Sequence, residues 1–375
     1  MRILEVITLG EIGGAQTVLL DIIRGCTDGG YDVEIDVVFG EGEYLPRALH
    51  QWFRGNLIQT PFLTRKINFF KDLKAVFFLR NLCKEKKYDL IHCHSSKASW
   101  LGRIAALLAG VPRICVTVHG VSFRPGIPSL ARSIYKNIER ILLPLKCEYI
   151  FVSPADKVEM VSMGLDSVKC KVIPNGRPVP SKPKKGLRHL LPIKDESPIV
   201  CTVGRLSEQK NPLSFIRVVK KVIELIPSDL SAPYFVLIGD GPLYQECSQA
   251  ISIEGLSDYV SLFGSAENAG QYFWDADLAV LTSNYEACPL VAIEAMATGT
   301  PVVASDVGGT GYVVKHGETG YLFPLNQEVE AAQYIINLLK NETLREDMGR
   351  TALEHYRRDF TVERMVKEYV KYFGL

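Results

Sequence analysis

Short apolar, β-branched runs alternate with longer stretches of three-and-four spacing from one end of the chain to the other. The first half predicts strands at 2–8, 33–39, 57–60, 89–94, 114–119, 149–153 and 171–174. Between them, positions such as Val76, Leu79, Leu82 and Cys83 repeat at helical spacing. Buried strands followed by helices predict βαβ units and a parallel sheet covered on both faces. The stretch 174–198 interrupts this rhythm with Pro174, Pro178, Pro180, Pro183, Pro192 and Pro198 and the basic cluster Lys182, Lys184, Lys185 and Arg188, the pattern of an interdomain linker. Beyond it the alternation restarts, with strands at 199–203, 234–238, 260–263, 278–282 and 301–304 and closing helices at 328–340, 342–356 and 361–373. The pattern predicts an α/β chain of two doubly wound, Rossmann-like domains.

A length of 375 residues agrees, because it exceeds what one hydrophobic core usually covers. The formal net charge of +1 gives no reason to expect nucleic acid. The halves differ: residues 1–178 hold 24 Lys and Arg against 17 Asp and Glu, and the remainder 19 against 25. A basic first half fits either an anionic acceptor or membrane surface, or scatter in solvated charge. Nine cysteines without a C-x-x-C pair fit a reducing cytosol. The start, MRILEVITLGEIGGAQ, lacks the apolar core of a signal peptide, and no run reaches the roughly 18 apolar residues of a membrane span. The expected location is cytoplasmic.

Ligands in such sheets bind beyond the carboxyl ends of the strands, so those ends hold the candidates. The first strand leads into Gly10-Glu11-Ile12-Gly13-Gly14-Ala15-Gln16 and then a helix, a place for phosphate contact or for a tight turn. This is not the spacing of a dinucleotide site, and Asp36 lies inside the second strand rather than after it. The run 89–94 ends in His92-Cys93-His94, and 114–119 ends in His119, a structural hydrogen-bonding residue or a site residue. No acidic or histidine pair has metal-ligand spacing, so no metal is expected. In the second half, Gly204-Arg205 leaves a strand and Lys210 follows; together the two cations suit a diphosphate. Leu262-Phe263-Gly264 ends another strand. The segment 283–301 carries Glu286, then Pro289 opening a helix whose first amides belong to Leu290 and Val291, then Glu294 among Ala, Ile and Met. A carboxylate in an apolar helix is costly without a partner, and ribose hydroxyls would satisfy it. Two carboxylates could instead do hydrolytic acid–base work, but a nucleotide-linked sugar explains them together with the helix start.

These residues are familiar as a set. E-x₇-E from Glu286 to Glu294, A-M-A-T-G-T-P-V-V-A-S-D-V-G-G at 295–309 and G-E-T-G-Y-L-F-P at 317–324 resemble the donor site of retaining GT-B glycosyltransferases of family four. G-G-A-Q at 13–16, V-I-P-N-G at 172–176, G-R-L-S-E-Q-K-N-P at 204–212 and I-G-D-G-P at 238–242 follow in the same order. The resemblance implies a GT-B fold with a cleft between an acceptor-binding domain at 1–178 and a donor-binding domain at 198–358. A linker at 179–197 joins them, and a terminal helix at 359–375 crosses back. It implies that Arg205 and Lys210 bind the donor diphosphate and Glu294 the ribose. Glu286 would touch the transferred sugar, with His119 beside it. Gly13, Gly14, Gly204, Phe263 and the Leu290 and Val291 amides would complete donor binding. No metal or other cofactor is implied. Ala287-Cys288 and Thr310-Gly311-Tyr312 depart from the family's habit near the expected sugar, so they bear on its identity.

Within that family, G-G-A-Q and H-C-H-S-S-K-A-S-W-L-G-R at 92–103 resemble enzymes of bacterial surface-polysaccharide assembly. This implies a nucleotide-sugar donor, with UDP the habitual base, and a glycan or lipid-pyrophosphate-linked acceptor. In 123–146, Arg132, Lys136 and Arg140 accompany Leu130, Ile134, Ile138, Ile141 and Leu142, a pattern of either a helix at an anionic membrane surface or an ordinary packed helix. The competing functions are a GT-B epimerase or hydrolase of the same donor, and a nucleotide-sugar-binding protein without catalysis.

Overall fold

The computed structural model describes residues 1–124, 126–194 and 197–375; residue 125 of the 123–146 segment and residues 195–196 of the expected linker lie outside it. The chain forms two compact units, Met1–Gly176 with Val362–Leu375, and Arg177–Thr361.

Unit 1 is built on seven parallel strands: β1 (Arg2–Ile7), β2 (Glu34–Phe39), β3 (Leu57–Gln59), β4 (Leu90–His94), β5 (Arg113–Val118), β6 (Glu148–Phe151) and β7 (Cys170–Val172). Their order is β3-β2-β1-β4-β5-β6-β7. Helices α1 (Gly14–Asp28), α2 (Tyr44–Leu49), α3 (Phe69–Lys86), α4 (Ser96–Ala109), α5 (Ser129–Leu142) and α6 (Pro154–Ser162) connect them. Strands β1 and β4 are buried on both faces. Leu4, Val6, Ile91 and Cys93 join Leu79, Ala105 and Phe151 in one apolar core, while Glu5, His92 and His94 are buried polar residues. Asp36 is structural: it accepts from the Asn56 backbone amide at 2.8 Å and from the Tyr88 hydroxyl at 2.6 Å.

Unit 2 repeats the scheme with six parallel strands, β8 (Ile199–Val203), β9 (Tyr234–Ile238), β10 (Val260–Gly264), β11 (Leu278–Leu281), β12 (Val302–Ser305) and β13 (Gly320–Phe323). Their order is β10-β9-β8-β11-β12-β13. Its helices are α7 (Leu187–Leu190), α8 (Pro212–Leu225), α9 (Tyr244–Ile253), α10 (Leu290–Ala297), α11 (Thr310–Val313), α12 (Glu328–Lys340) and α13 (Glu342–Asp359). The proline-rich stretch read as a linker folds with this unit. Leu187 is buried, its amide donates to Asp275 at 2.9 Å, and Trp274 donates to the Pro180 carbonyl at 2.8 Å. Prolines fix its backbone direction, and these few contacts anchor it without a strand or a long helix.

The last helix, α14 (Val362–Phe373), belongs to unit 1 and packs on α1. Gly25 makes this approach possible, since a Cβ there would stand 2.3 Å from Val366 Cγ1. Arg113 closes the helix end by donating to the carbonyls of Phe373 at 2.6 Å and Tyr372 at 3.0 Å. Among the described residues no helix is long and apolar enough to cross a membrane.

Candidate functional site

In unit 2 the strand order reverses between β8 and β11, so the loops leaving these two strands diverge and leave a crevice at their carboxyl ends. Gly204, Arg205, Lys210, Thr282 and Ser283 line a pocket there. The loop after β8 is held by glycines of the next strand. The Gly204 amide donates to the Ile238 carbonyl, and the Leu206 amide to the Asp240 carbonyl. A Cβ on Gly239 would lie 1.9 Å from the Gly204 oxygen, and one on Gly241 would lie 2.4 Å from the Leu206 oxygen. Gly239 also has φ +151°, a region that favours glycine. Gly204 itself is not sterically required, because a Cβ there would meet only the Lys210 stem at 3.5 Å.

The loops after β8 and β11 are stitched to one another. The Asn284 amide donates to the Gln209 carbonyl at 2.8 Å, Thr282 donates to the Asn211 carbonyl at 3.0 Å, and Asn211 donates to the Asn284 side chain at 3.0 Å. Asn211 adopts φ +48° and caps α8 by accepting from the Ser214 amide, with Pro212 as the first helical residue. This fixes Lys210 at the rim, its Nζ 2.5 Å from Glu286 Oε1, and Ser283 donates to the same oxygen at 2.6 Å. The Glu286 backbone is gripped from behind. Gly309 donates to its carbonyl at 2.8 Å, and Gly308, at φ +53°, passes so close that a Cβ would lie 2.1 Å from that oxygen. The Val-Gly-Gly run at 307–309 is therefore part of what places Glu286. Arg205 stands exposed, with its guanidinium available to solvent.

Glu294 lies eight residues further on, in α10, and has a partner within the protein. Its Oε1 accepts from Arg177 Nε at 2.8 Å, and the side chain is half-buried rather than enclosed. Arg177 directly follows the V-I-P-N-G run, and its pairing could not be read from spacing across 117 residues. Gly270 lets the carboxylate sit where it does, since a Cβ there would be 2.7 Å from Oε2. Leu290 and Val291 open α10 after Pro289, partly exposed and at the helix start where amides lack intrahelical acceptors. Phe263 lies in β10 beside a register shift, its ring 5.2 Å from Tyr272 and edge-on to it.

In unit 1, Gly13 caps α1 in an extended conformation and Gly14 begins the helix, both at the surface. A Cβ on Gly13 would meet only the flexible end of Gln16, so its backbone does not demand glycine. His119 directly follows β5 and ends a buried network the sequence did not disclose. Glu5 on β1 pairs in register with His92 on β4, and strand alternation puts His94 on the same face. Glu5 Oε2 lies 2.9 Å from both His92 Nδ1 and His94 Nε2. His94 Nδ1 then lies 2.8 Å from His119 Nε2, and His92 Nε2 lies 2.7 Å from Thr117 Oγ1, which meets the Tyr369 hydroxyl of α14. No metal-ligand spacing is visible along the sequence, yet in the fold Glu5, His92 and His94 each present an atom within 4.8 Å of the others. The signal was hidden because Glu5 and His92 are 87 residues apart.

Burial opposes ionisation of Glu5, but His92 and His94 outweigh it and hold the carboxyl at about 2. Burial, reinforced by His92, lowers His94 to about 4, and burial with His94 and His92 beside it puts His119 well below the usual histidine range. A neutral His94 that donates through Nε2 to Glu5 must accept at Nδ1, so His119 donates through Nε2 and keeps Nδ1 as an acceptor. The stability consequence has a definite sign. Both histidines are neutral in the fold at pH values where the unfolded chain binds protons. Stability is therefore complete above about pH 6.5 and falls as pH drops toward 4, by up to about 1.4 kcal/mol per pH unit for His94, with His119 acting in the same direction. Melting temperature measured from pH 7.5 to 4.5 is expected to decline below pH 6.5, and less steeply in His94→Gln; equal slopes would contradict the network.

Comparison with known proteins adds two family matches, glycosyltransferase family 4 over residues 12–179 and glycosyl transferases group 1 over residues 184–355. A UDP-Gal:alpha-D-GlcNAc-diphosphoundecaprenol alpha-1,3-galactosyltransferase of Escherichia coli is 34% identical over 293 residues, covering 76% of this chain and 73% of that protein. An N-acetyl-alpha-D-glucosaminyl L-malate synthase of Bacillus anthracis is 24% identical over 302 residues, covering 80% and 77%. Among solved structures, Anabaena HepE in complex with UDP and glucose superposes with a TM-score of 0.81 at 23% identity, covering 100% of this chain and 99% of that one.

Proposed function

This chain belongs to the family 4 glycosyltransferases, and from that premise we propose that it moves a sugar from a UDP-linked donor to a lipid-diphosphate-linked saccharide, retaining anomeric configuration and using no metal ion. The fold is GT-B, two Rossmann-like units of parallel strands. The observation that carries the reading is Lys210 held against Glu286 at the switch point of unit 2, beside the exposed Arg205. Departure of a nucleoside diphosphate builds negative charge on its oxygens, and Lys210, held by Glu286, with Arg205 beside it, offsets that charge where a divalent ion would otherwise serve. The Leu290 and Val291 amides at the start of α10 suit the same oxygens. Glu294 suits the ribose hydroxyls, with Arg177 holding its carboxylate in place. Glu286 is proposed to contact the transferred sugar.

UDP as the base and a polyprenyl-diphosphate sugar as acceptor are supported by the substrates in the E. coli relative's name and by UDP bound to HepE. A role in polysaccharide assembly, at the cytoplasmic face of the membrane, follows from such an acceptor. The α5 helix, with Arg132, Lys136 and Arg140, has the pattern of either a contact with that surface or an ordinary packed helix.

Melting temperature in EDTA tests the donor. A ligand at 100 times its Kd that binds only the folded protein adds about 2.7 kcal/mol of stability. UDP and one UDP-sugar are expected to raise the melting temperature while adenine and guanine counterparts do not. No shift with any UDP compound, in folded protein, would contradict the reading. Within it, Glu294→Ala is expected to weaken UDP binding about 30-fold, the equivalent of about 2 kcal/mol for lost charge-assisted hydrogen bonds. A change below threefold by calorimetric titration would remove Glu294 from the ribose.

A further inference from the structure

Exposed aromatic side chains are concentrated at one place in the molecule, the start of α3. Ile67, Phe69, Phe70, Leu73 and Phe77 are between 45 and 75% exposed. At 3.6 residues per turn, Phe69, Phe70, Leu73 and Phe77 fall within an arc of roughly 100°. The core-facing side of the same helix is accounted for separately by Ala75, Val76, Leu79 and Cys83. The helix is thus apolar on two sides, and only one has a partner in the fold. Contiguous exposed apolar surface of this kind marks an interaction site rather than ordinary scatter.

The patch is also fixed in place. Asn68 caps α3 by accepting from the Lys71 amide at 3.0 Å, while Asp72 accepts from the Asn68 amide at 3.0 Å. The buried Lys97 of α4 pairs with Asp72 at 2.6 Å and donates to the Lys66 carbonyl, locking the approach to the helix onto its neighbour. This leaves the cations Arg65, Lys66, Lys71 and Lys74 exposed around the aromatics. The one acid in 65–77 is Asp72, and Lys97 neutralises it.

We propose that this face of α3 docks on an anionic lipid bilayer, with Phe69, Phe70 and Phe77 entering the headgroup–acyl boundary and the four cations facing lipid phosphates. The inference deepens the proposed use of a membrane-borne acceptor and rests on that reading for its biological purpose, but relocates the contact. On α5, Leu130, Ile134 and Ile141 are exposed, but two of its three cations are engaged within the fold. Arg132 donates to the Phe123 carbonyl at 2.8 Å, Lys136 lies over the Phe123 ring, and Leu142 turns into the core.

Vesicle flotation of the full chain tests it, with phosphatidylcholine alone or with about a third anionic phosphatidylglycerol. The wild type is expected to partition at least tenfold better to the anionic vesicles. The triple variant Phe69→Ser/Phe70→Ser/Phe77→Ser should lose tenfold or more of that, and Lys71→Glu/Lys74→Glu should lose the preference for anionic lipid. The variants' melting temperatures and their shifts with UDP establish that they fold, and a UDP shift shows that the donor site is intact whatever the lipid result. Undiminished flotation of the folded triple variant, with loss in Leu130→Ser/Ile141→Ser, would overturn the α3 assignment while keeping membrane contact. No flotation of the wild type would overturn both, and a patch that instead holds two copies together, seen as a dimer converted to monomer by the triple variant, would overturn the lipid assignment.

Discussion

Lys210→Ala is expected to lower turnover by about two to three orders of magnitude, the usual cost of removing one group that stabilises charge developing in a transition state. The side chain stands at the rim of the pocket with its charge held by Glu286 and its stem along Gly204. Nothing in the core depends on it. Glu286 retains the Ser283 hydroxyl, and its backbone remains held by Gly309. Because Lys210 is partly exposed but Glu286 is buried, the loss in folding stability should lie between the surface and buried limits, at about 1–3 kcal/mol, and UDP affinity should fall far less than turnover. Rates and melting temperature measured on the same preparation separate the two effects. Turnover within threefold of wild type would remove Lys210 from the reaction, and a matching collapse of stability would make its role structural.

Glu139→Ala is expected to have the opposite profile, a large loss of stability in unit 1 with the UDP-induced shift preserved. Arg103 of α4 is completely buried, and Glu139 of α5 supplies its counter-charge at 2.9 Å. The other Glu139 oxygen accepts from Trp100 Nε1 at 2.6 Å, while Arg103 also donates to the Tyr149 hydroxyl at 2.6 Å. Removing the carboxylate leaves a buried guanidinium unpaired and an indole N–H unsatisfied, a cost of about 3–5 kcal/mol. For a unit of this size that corresponds to a melting temperature lower by roughly 10 °C. Glu139→Gln, which keeps the Trp100 contact, should fall between. A change of less than about 3 °C in Glu139→Ala would show that Arg103 finds another partner.

That network also explains what could be read from the sequence and what could not. The parallel strands were legible because burial on both faces makes them near-continuous apolar runs, as in 199–203 and 234–238, which match β8 and β9. β13 was missed because Gly320-Tyr-Leu-Phe opens with a glycine and has no β-branched residue, unlike the equally short β11 and β12. The loop residues Lys210 and Glu286 were legible because strand ends and glycine turns bracket them. Their 2.5 Å contact was not, since it depends on two loops 76 residues apart being stitched by Asn211, Thr282 and Asn284. Glu5 failed for the same reason: one carboxylate in an apolar strand carries no sign of the histidines that register brings beside it. On α5 the cationic stripe was visible, but its neighbour Glu139 pointing inward to Arg103 was not separable from the surface charges by sequence alone.

The most direct measurement supplies UDP-galactose and N-acetylglucosaminyl-diphospho-polyprenol in anionic vesicles, with excess EDTA, and determines the product's anomeric configuration by proton NMR. The account predicts an α-linked disaccharide on the lipid diphosphate, formed without added metal and lost in Lys210→Ala. A β-linked product, transfer that EDTA abolishes and a divalent ion restores, or no transfer from any UDP-sugar that stabilises the protein, would contradict it.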